Sequence, residues 1–419
     1  MLRIALILAS LIGLAAVSAP ANAVDAPRCA PHESWDYTMA MCMPEKDAGS
    51  DSVVLSAQFN AFGMLAIAQG PRGVDALAAP NMFMFDLGKS VGESHFLNLE
   101  LMGTTELWTY PRRGYPELLQ IGEERSDGTP YVDAQHPHSS PIMGLTLSDT
   151  FPIGPSAALK VFFAPRGESA DGPVAFMHRD SARDNPDAPL GHHVGQDVGH
   201  ISSTVIGAQL SLGRVVIEGS VFNGAEPLPT KVDLPMGPFN SEALRVTWLL
   251  APEHRLMGSL ARVEQRDDLY PGVTSASRWS VSLYDRFVAS NAATIDNTFL
   301  IGSIKRHPTN VALTSLLDEA VVQVRSSDFW GRIETLQRLR SELAIAPLGV
   351  GTTDDRRWVS AVTLGYTHWS EAHGSLQFGL GTSVTIDALP GVWAAAYGGR
   401  TPVTGRLIIQ VRGVGHWKR

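Results

Sequence analysis

The chain has 419 residues, of which 44% are hydrophobic and only 18% charged, with 39 glycines and a net charge of −9. That balance leaves no basic stripe to neutralise phosphates and argues against a nucleic-acid partner. A soluble enzyme of this length would carry several amphipathic helices, whereas almost none can be drawn here, so the composition points to an all-β chain.

Residues 1–23 open with Arg3, run through an apolar stretch at 4–17 and close on Ala21-Asn22-Ala23, the small-x-small pattern of signal peptidase sites. They read as a secretory signal, since the apolar stretch is shorter than the roughly 20 residues a membrane helix needs. Cys29 lacks an apolar lipobox before it, so no lipid anchor is expected. Residues 24–52 form a periplasmic N-terminal segment holding the only two cysteines, Cys29 and Cys42. In an oxidising compartment a Cys29–Cys42 disulfide is expected. A reduced pair beside His32, Met39, Met41 and Met43 would instead offer soft ligands to Cu(I).

From residue 53 to 419 the sequence alternates with period two over runs of ten to fourteen residues. Leu376, Phe378, Leu380, Val384 and Ile386 face one way, with Gln377, Gly379, Gly381, Ser383, Thr385 and Asp387 opposite. Leu99, Leu101 and Leu107 alternate likewise with Asn98, Glu100 and Glu106. Val359, Ala361 and Thr363 are taken as the lipid face of another strand, with Tyr366 and His368 on its lumen phase. The connections then alternate between short and long. Short turns are expected near 89–94, 152–155, 212–214, 251–254, 289–292, 326–331 and 370–374. Long segments fall near 70–79, 108–140, 166–199, 224–240, 266–276, 306–317, 344–356 and 390–403. Residues 316–343, the best helix candidate, divide better into two strands around 326–332.

This rhythm predicts a closed antiparallel transmembrane β-barrel of about sixteen strands, short turns towards the periplasm, with strand 404–414 pairing with strand 53–68. Closure is required because hydrocarbon offers no water to satisfy a free strand edge. Trp108, Tyr110, Trp279, Tyr284, Trp330, Trp358 and Trp369 are placed as interfacial girdles. The chain ends Trp417-Lys418-Arg419, so Trp417 takes the place of the terminal aromatic usual in such barrels. The expected lumen-facing charges are Glu100, Glu106, Glu218, Arg262, Glu264, Arg286 and Arg325.

Two long loops concentrate the polar chemistry. One ends in His136-Pro-His138, and the other carries His178, His192, His193 and His200 among carboxylates and prolines. Imidazoles at this density bind a transition metal such as copper, or hydrogen-bond one another and pin an infolded loop. The spacing matches no known zinc or copper module. A barrel hydrolase would need Ser139, Ser140 or Ser181 beside His138 or His178, but no GxSxG elbow is present and no enzyme is expected.

The segments GYPELLQIGE (114–123), QHPH (135–138), MHRDSARDNP (177–186), PLGHH (189–193), DVGHI (197–201) and EGSVFNG (218–224) resemble an uncharacterised family of Gram-negative outer-membrane proteins. Members tend to be encoded near copper- or heavy-metal-resistance functions, and the Cys and Met residues before Pro44 resemble their leader. The resemblance covers most of the mature chain and implies an outer-membrane barrel with a hint of metal handling. Where the family tends to read His-Pro-His-Asp this chain has Ser139, which removes a carboxylate. The chain also lacks the long Met/His-rich linker of some members. The leading expectation is a channel for a small solute or metal ion embedded in outer-membrane lipid. The alternatives are a non-conducting surface barrel whose histidines bind metal and, last, a hydrolase.

Overall fold

The computed structural model describes residues 33–36, 41–44 and 53–418, apart from short stretches at 93, 126, 139, 155, 198, 226, 228–230, 235, 265–271, 291–292 and 346–354. The signal at 1–23 and the Cys29–Cys42 pairing lie outside the described residues.

A short antiparallel hairpin, β1 (Glu33–Asp36) and β2 (Met41–Pro44), precedes the barrel. Next come β3 (Val53–Ala68), the three-residue β4 (Ala76–Ala78), β5 (Asn81–Val91) and β6 (His95–Gly103). A separate two-stranded sheet follows, β7 (Tyr115–Glu124) with β8 (Pro130–Gln135). The barrel resumes with β9 (Ile142–Gly154), β10 (Ala157–Gly167), β11 (Ser202–Leu212), β12 (Val215–Asn223), β13 (Ser241–Ala251) and β14 (His254–Val263). It continues through β15 (Ser275–Ser290), β16 (Ala293–His307), β17 (Val311–Val324), β18 (Ser327–Leu339), β19 (Arg356–Trp369), β20 (Leu376–Ala388) and β21 (Val403–Lys418). The ring is closed and antiparallel, and β21 joins β3 in continuous register from Thr404 opposite Ala68 to Lys418 opposite Val54. Sixteen long strands complete it. β4 is an appendage on β3, set off from β5 where Pro80 has no N–H to donate to a ladder.

The alternation has its expected physical basis. Leu97, Leu99, Leu147, Phe163, Leu244, Leu364, Leu380, Leu407 and Ile409 point outwards, while Asn98, Glu100, Ser148, Arg245, Ser383, Arg406 and Gln410 are buried inside. This outer apolar band is the surface a bilayer core accepts. Among the described residues no helix is long and apolar enough to cross a membrane.

Several expectations need correction. The stretch 306–317 is a three-residue turn at 308–310 with β17 starting at Val311, and the 326–331 turn shrinks to Arg325-Ser326. Arg325 sits in that turn with φ 56° and not in the lumen. The signal was hidden because Leu313 and Leu317 are apolar residues pointing inwards, which blurs the alternation. For the same reason the phase of β19 is opposite to the one expected. Val359, Ala361 and Thr363 are buried inside, whereas Leu364 and His368 face out. Arg262 falls on the outward phase of Leu256 and Leu260, and Glu264 lies just past the strand end. Their side chains are 66% and 50% exposed and 3.6 Å apart, so neither lines the lumen. The girdle is half as expected. Trp108, Trp279 and Trp358 face outwards, together with Trp248, Phe329, Phe378 and Trp417, whereas Tyr110, Tyr284, Trp330 and Trp369 are buried within.

Candidate functional site

The lumen is occupied by the two longest connections, which fold into it. Residues 168–201, between β10 and β11, contain no exposed position among those described. Their polar groups are met in turn by successive strands around the wall. Ala170 N donates to Ser220 on β12 (2.9 Å), Gly172 N to Ser259 on β14 (2.8 Å), and Arg278 on β15 pairs with Asp171 (2.9 Å). Further along, Arg179 pairs with Glu319 on β17 (2.7 Å), Arg183 with Asp296 on β16 (2.9 Å) and Arg406 on β21 with Asp187 (3.0 Å). Arg332 on β18 donates to Asp187 O (2.8 Å), and Ser315 on β17 to Val194 O (2.7 Å). Such a buried backbone survives in a barrel only because wall side chains replace the water it has lost.

At Gly195 the segment touches β16. Gly195 has φ +78°, and a Cβ on it would lie 2.6 Å from Ser303 N, while one on Gly302 would lie 2.5 Å from Gly195 O. Two glycines therefore permit a backbone-to-backbone approach.

The second infolded segment is the β7–β8 hairpin with its flanks. Leu118, Leu119 and Ile121 join Leu190 and Val194 of the first segment and Leu313, Leu336, Leu339 and Trp393 in an apolar core inside the barrel. Tyr115 donates to Asp187 (2.7 Å) and accepts from Arg406, which stitches the two segments to β21.

The six sequence-predicted histidines meet where these segments touch. Ring centroids of His192 lie 4.5 Å from His193, 5.4 Å from His200 and 6.0 Å from His136, and His138 lies 5.7 Å from His200. His136, His192 and His193 each bring a ring nitrogen within 4.8 Å of the others, as do His192, Asp197 and His200 with one ligand atom apiece. His136 turns to His192 and His193, and His138 stacks on Phe176 and meets His200.

Hydrogen bonds set the ring orientations. His136 Nδ1 lies 2.8 Å from Pro137 O, and His200 Nδ1 3.0 Å from Asp197 O. A carbonyl only accepts, so these nitrogens carry the proton and the Nε2 lone pairs are left for another partner. His138 Nδ1 lies 2.5 Å from Glu106 Oε2, with the same consequence beside a carboxylate. Glu106, expected in the lumen, is buried in a one-turn helix at Glu106–Thr109 and serves as the anchor of His138. Both ring nitrogens of the buried His178 lack a hydrogen-bond partner among the described residues.

Burial keeps His136, His178 and His193 neutral. His136 is pushed down to about 3 by desolvation, reinforced by His192, and His178 to about 4 by desolvation and His200. Desolvation also lowers His193. His200 moves the other way: desolvation disfavours its charge, but Asp197 outweighs that and raises it. Asp197 in turn is held well below the carboxylate range, its own burial overcome by His200 and His192.

Of the remaining predicted residues, Glu100 and Glu218 are buried on inward phases, with Glu218 2.8 Å from Arg245, and Arg286 pairs with Asp296 (2.6 Å) and Asp180 (3.0 Å). The sequence reading missed Asp197 as a member of the cluster and Arg245, Arg278, Arg332, Arg338 and Arg406 as the wall that docks the segment. Strand phase alone would have found the arginines. Ser181 hydrogen-bonds Thr298 (2.7 Å) and Glu319 (3.2 Å).

No protein-family model matches the chain, and no curated protein is similar to it in sequence. Solved porins share its fold. A Salmonella typhi OmpF solved in complex with daunomycin aligns with a TM-score of 0.51 at 9% identity, over 85% of this chain and 97% of that one. An anion-selective porin from Comamonas acidovorans aligns at 0.50 and 10% identity, over 87% and 100%. Pseudomonas putida OprB gives 0.48 at 8% identity, over 87% and 94%. On the first two alignments the chain is similar in fold to porins.

Proposed function

We propose that the protein is an outer-membrane channel whose lumen is restricted by its two infolded segments, and that the solute it recognises there is a divalent transition-metal ion. The observation that carries this reading is the convergence of six histidines from two distant segments. Three have Nδ1 fixed by a carbonyl or carboxylate, the outer-shell arrangement that orients imidazole ligands. His136, His192 and His193 make the primary site, with Asp197 and His200 adjoining through His192. Bond lengths of 2.0–2.1 Å put tetrahedral ligand nitrogens about 3.4 Å apart, so the three rings close by about an ångström on the ion. The porin-type fold supports the channel half of the reading, because sixteen strands enclose a lumen wide enough for water wherever segments leave it open.

Zn(II) titration of the purified barrel tests the site. His136→Ala/His193→Ala is expected to weaken Zn(II) binding at least tenfold, and His254→Ala, whose ring pairs with Asp285 near a short turn, to leave it unchanged. Planar-bilayer recording tests the channel. Small, Zn(II)-sensitive conductance is expected, and a silent barrel that still binds Zn(II) would make it a surface metal-binding protein instead.

A further inference from the structure

A second cluster beside the histidines has a different chemistry. Five of the chain's twelve methionines gather in one place: Met82 and Met84 on β5, Met102 on β6 and Met143 on β9, with Met177 of the infolded segment against them. The four on strands are buried on the lumen side, Met84 and Met143 completely. The large apolar core elsewhere in the same lumen contains no methionine and is built from leucine, isoleucine, valine and aromatic residues. Apolar filling therefore does not explain the segregation, since leucine fills such space with less loss of side-chain freedom.

A cavity of about 30 Å³ lies at the seam between the two clusters, lined by Met82, Met177, His138, Glu106 and Asn81, and by Arg183, whose charge is met by Asp184, Asp296 and Asp328. It has room for one small ion or water. His138 has its Nδ1 committed to Glu106, which leaves Nε2 as its lone-pair nitrogen. Thioether sulfur is a soft, neutral ligand that selects Cu(I) over hard or borderline divalent ions.

We propose that the methionine wall of β5, β6 and β9, with Met177 and His138, is a second site that binds a soft monovalent cation, Cu(I) or its redox-inert counterpart Ag(I), through thioether sulfur. It is distinct from the proposed divalent site of His136, His192 and His193 and does not depend on it. Glu106 supplies the negative charge that a monovalent cation needs in a buried place.

The test uses the full chain in detergent, with anaerobic Cu(I) held by a competing chelator as the probe and Zn(II) in a parallel titration. Met82→Leu/Met102→Leu/Met177→Leu keeps the apolar volume. It is expected to lose one Cu(I) equivalent, or at least tenfold in affinity, while Zn(II) binding and the heat-dependent gel shift of a folded barrel stay at parent values. His136→Ala/His193→Ala is expected to retain that Cu(I) equivalent. X-ray absorption of the Cu(I)-loaded parent should show sulfur neighbours that disappear in the leucine variant. Because 29–43 is identical in both proteins, any Cu(I) held there cancels. Unchanged Cu(I) stoichiometry and affinity in the leucine variant, or no leucine-sensitive sulfur neighbours in the parent, overturns the second site. Absence of Zn(II) binding with leucine-sensitive Cu(I) binding would sink the divalent reading and leave this one standing.

Discussion

At the scale of single residues, the lumen is governed by the expense of burying charge. Asp184 illustrates it. Desolvation, reinforced by the carboxylate of Asp328, raises it to about 7, although Arg183 and Arg412 stand 3.9 Å away on either side. An aspartate in the released segment titrates near 3.9. The docked state thus holds a proton that the released state gives up, and the resulting contribution to docking is complete below about pH 4 and lost as pH rises through about 7. Asp184→Asn removes this dependence. At pH 8 the variant's 168–201 segment is expected to resist protease longer than the parent's, with the difference shrinking towards pH 5. Identical pH profiles would mean that Asp184 does not couple docking to protonation. His136, His178 and His193 are shifted in the opposite sense, downwards, and their neutrality is what makes their lone pairs available to a metal.

At the scale of elements, the 168–201 segment behaves as a strap laid around the inner wall. It is held by distributed ion pairs and by the close approach of Gly195 to Gly302. A side chain at 302 meets Gly195 O at 2.5 Å, backbone against backbone, so neither partner yields by changing a rotamer. Gly302→Val is expected to cost the docked state about 1–3 kcal/mol, as overpacking does. That is a shift of roughly 5- to 150-fold towards the released segment. The measurable result is new protease cleavage between 168 and 201 and larger single-channel conductance, with the barrel itself still heat-modifiable. Unchanged conductance with cleavage would mean that the β7–β8 hairpin, and not the strap, closes the lumen. Arg332→Ala acts on the same element more severely, because it leaves Glu319, which also accepts from Arg179, with one arginine fewer at a buried position.

At the scale of the whole molecule, the ring has two unequal ends. The turns after β5, β9, β11, β13, β15, β17 and β19 are short, and the connections at the other end are long except for 308–310. Both ends of the barrel strands, Val53 and Lys418, lie with the short turns. An epitope inserted at 224–240 is expected to be accessible to antibody on intact cells, and one between β15 and β16 only after permeabilisation. The reverse pattern would turn the barrel over and place the histidine junction towards the periplasm. The apolar core formed by Leu119, Leu190, Leu336 and Trp393 lies inside a ring whose outside is also apolar. The barrel interior is therefore largely filled, as a restricted channel of small conductance requires.

The sequence by itself determined the closed barrel, its sixteen strands and the pairing of its last strand with its first. Each long strand was located because lipid and lumen impose opposite polarities on neighbouring residues and a bilayer imposes a length. It also named the six histidines, since their density is a local property. Tertiary structure alone decided which side of each strand faced inwards where the lumen was itself apolar, as at Val359, Ala361, Leu313 and Leu317. Local alternation cannot tell apolar residues facing a plug from apolar residues facing lipid. It also decided what the inward arginines Arg332, Arg338 and Arg406 hold, namely the infolded segments. The assembly of the histidines and the methionines depended on it most, because His136 and His138 stand more than fifty residues before His192, His193 and His200, and Met177 more than thirty after the nearest strand methionine. They meet only because two segments fold into the ring, where their buried amides are satisfied by the wall and by one another.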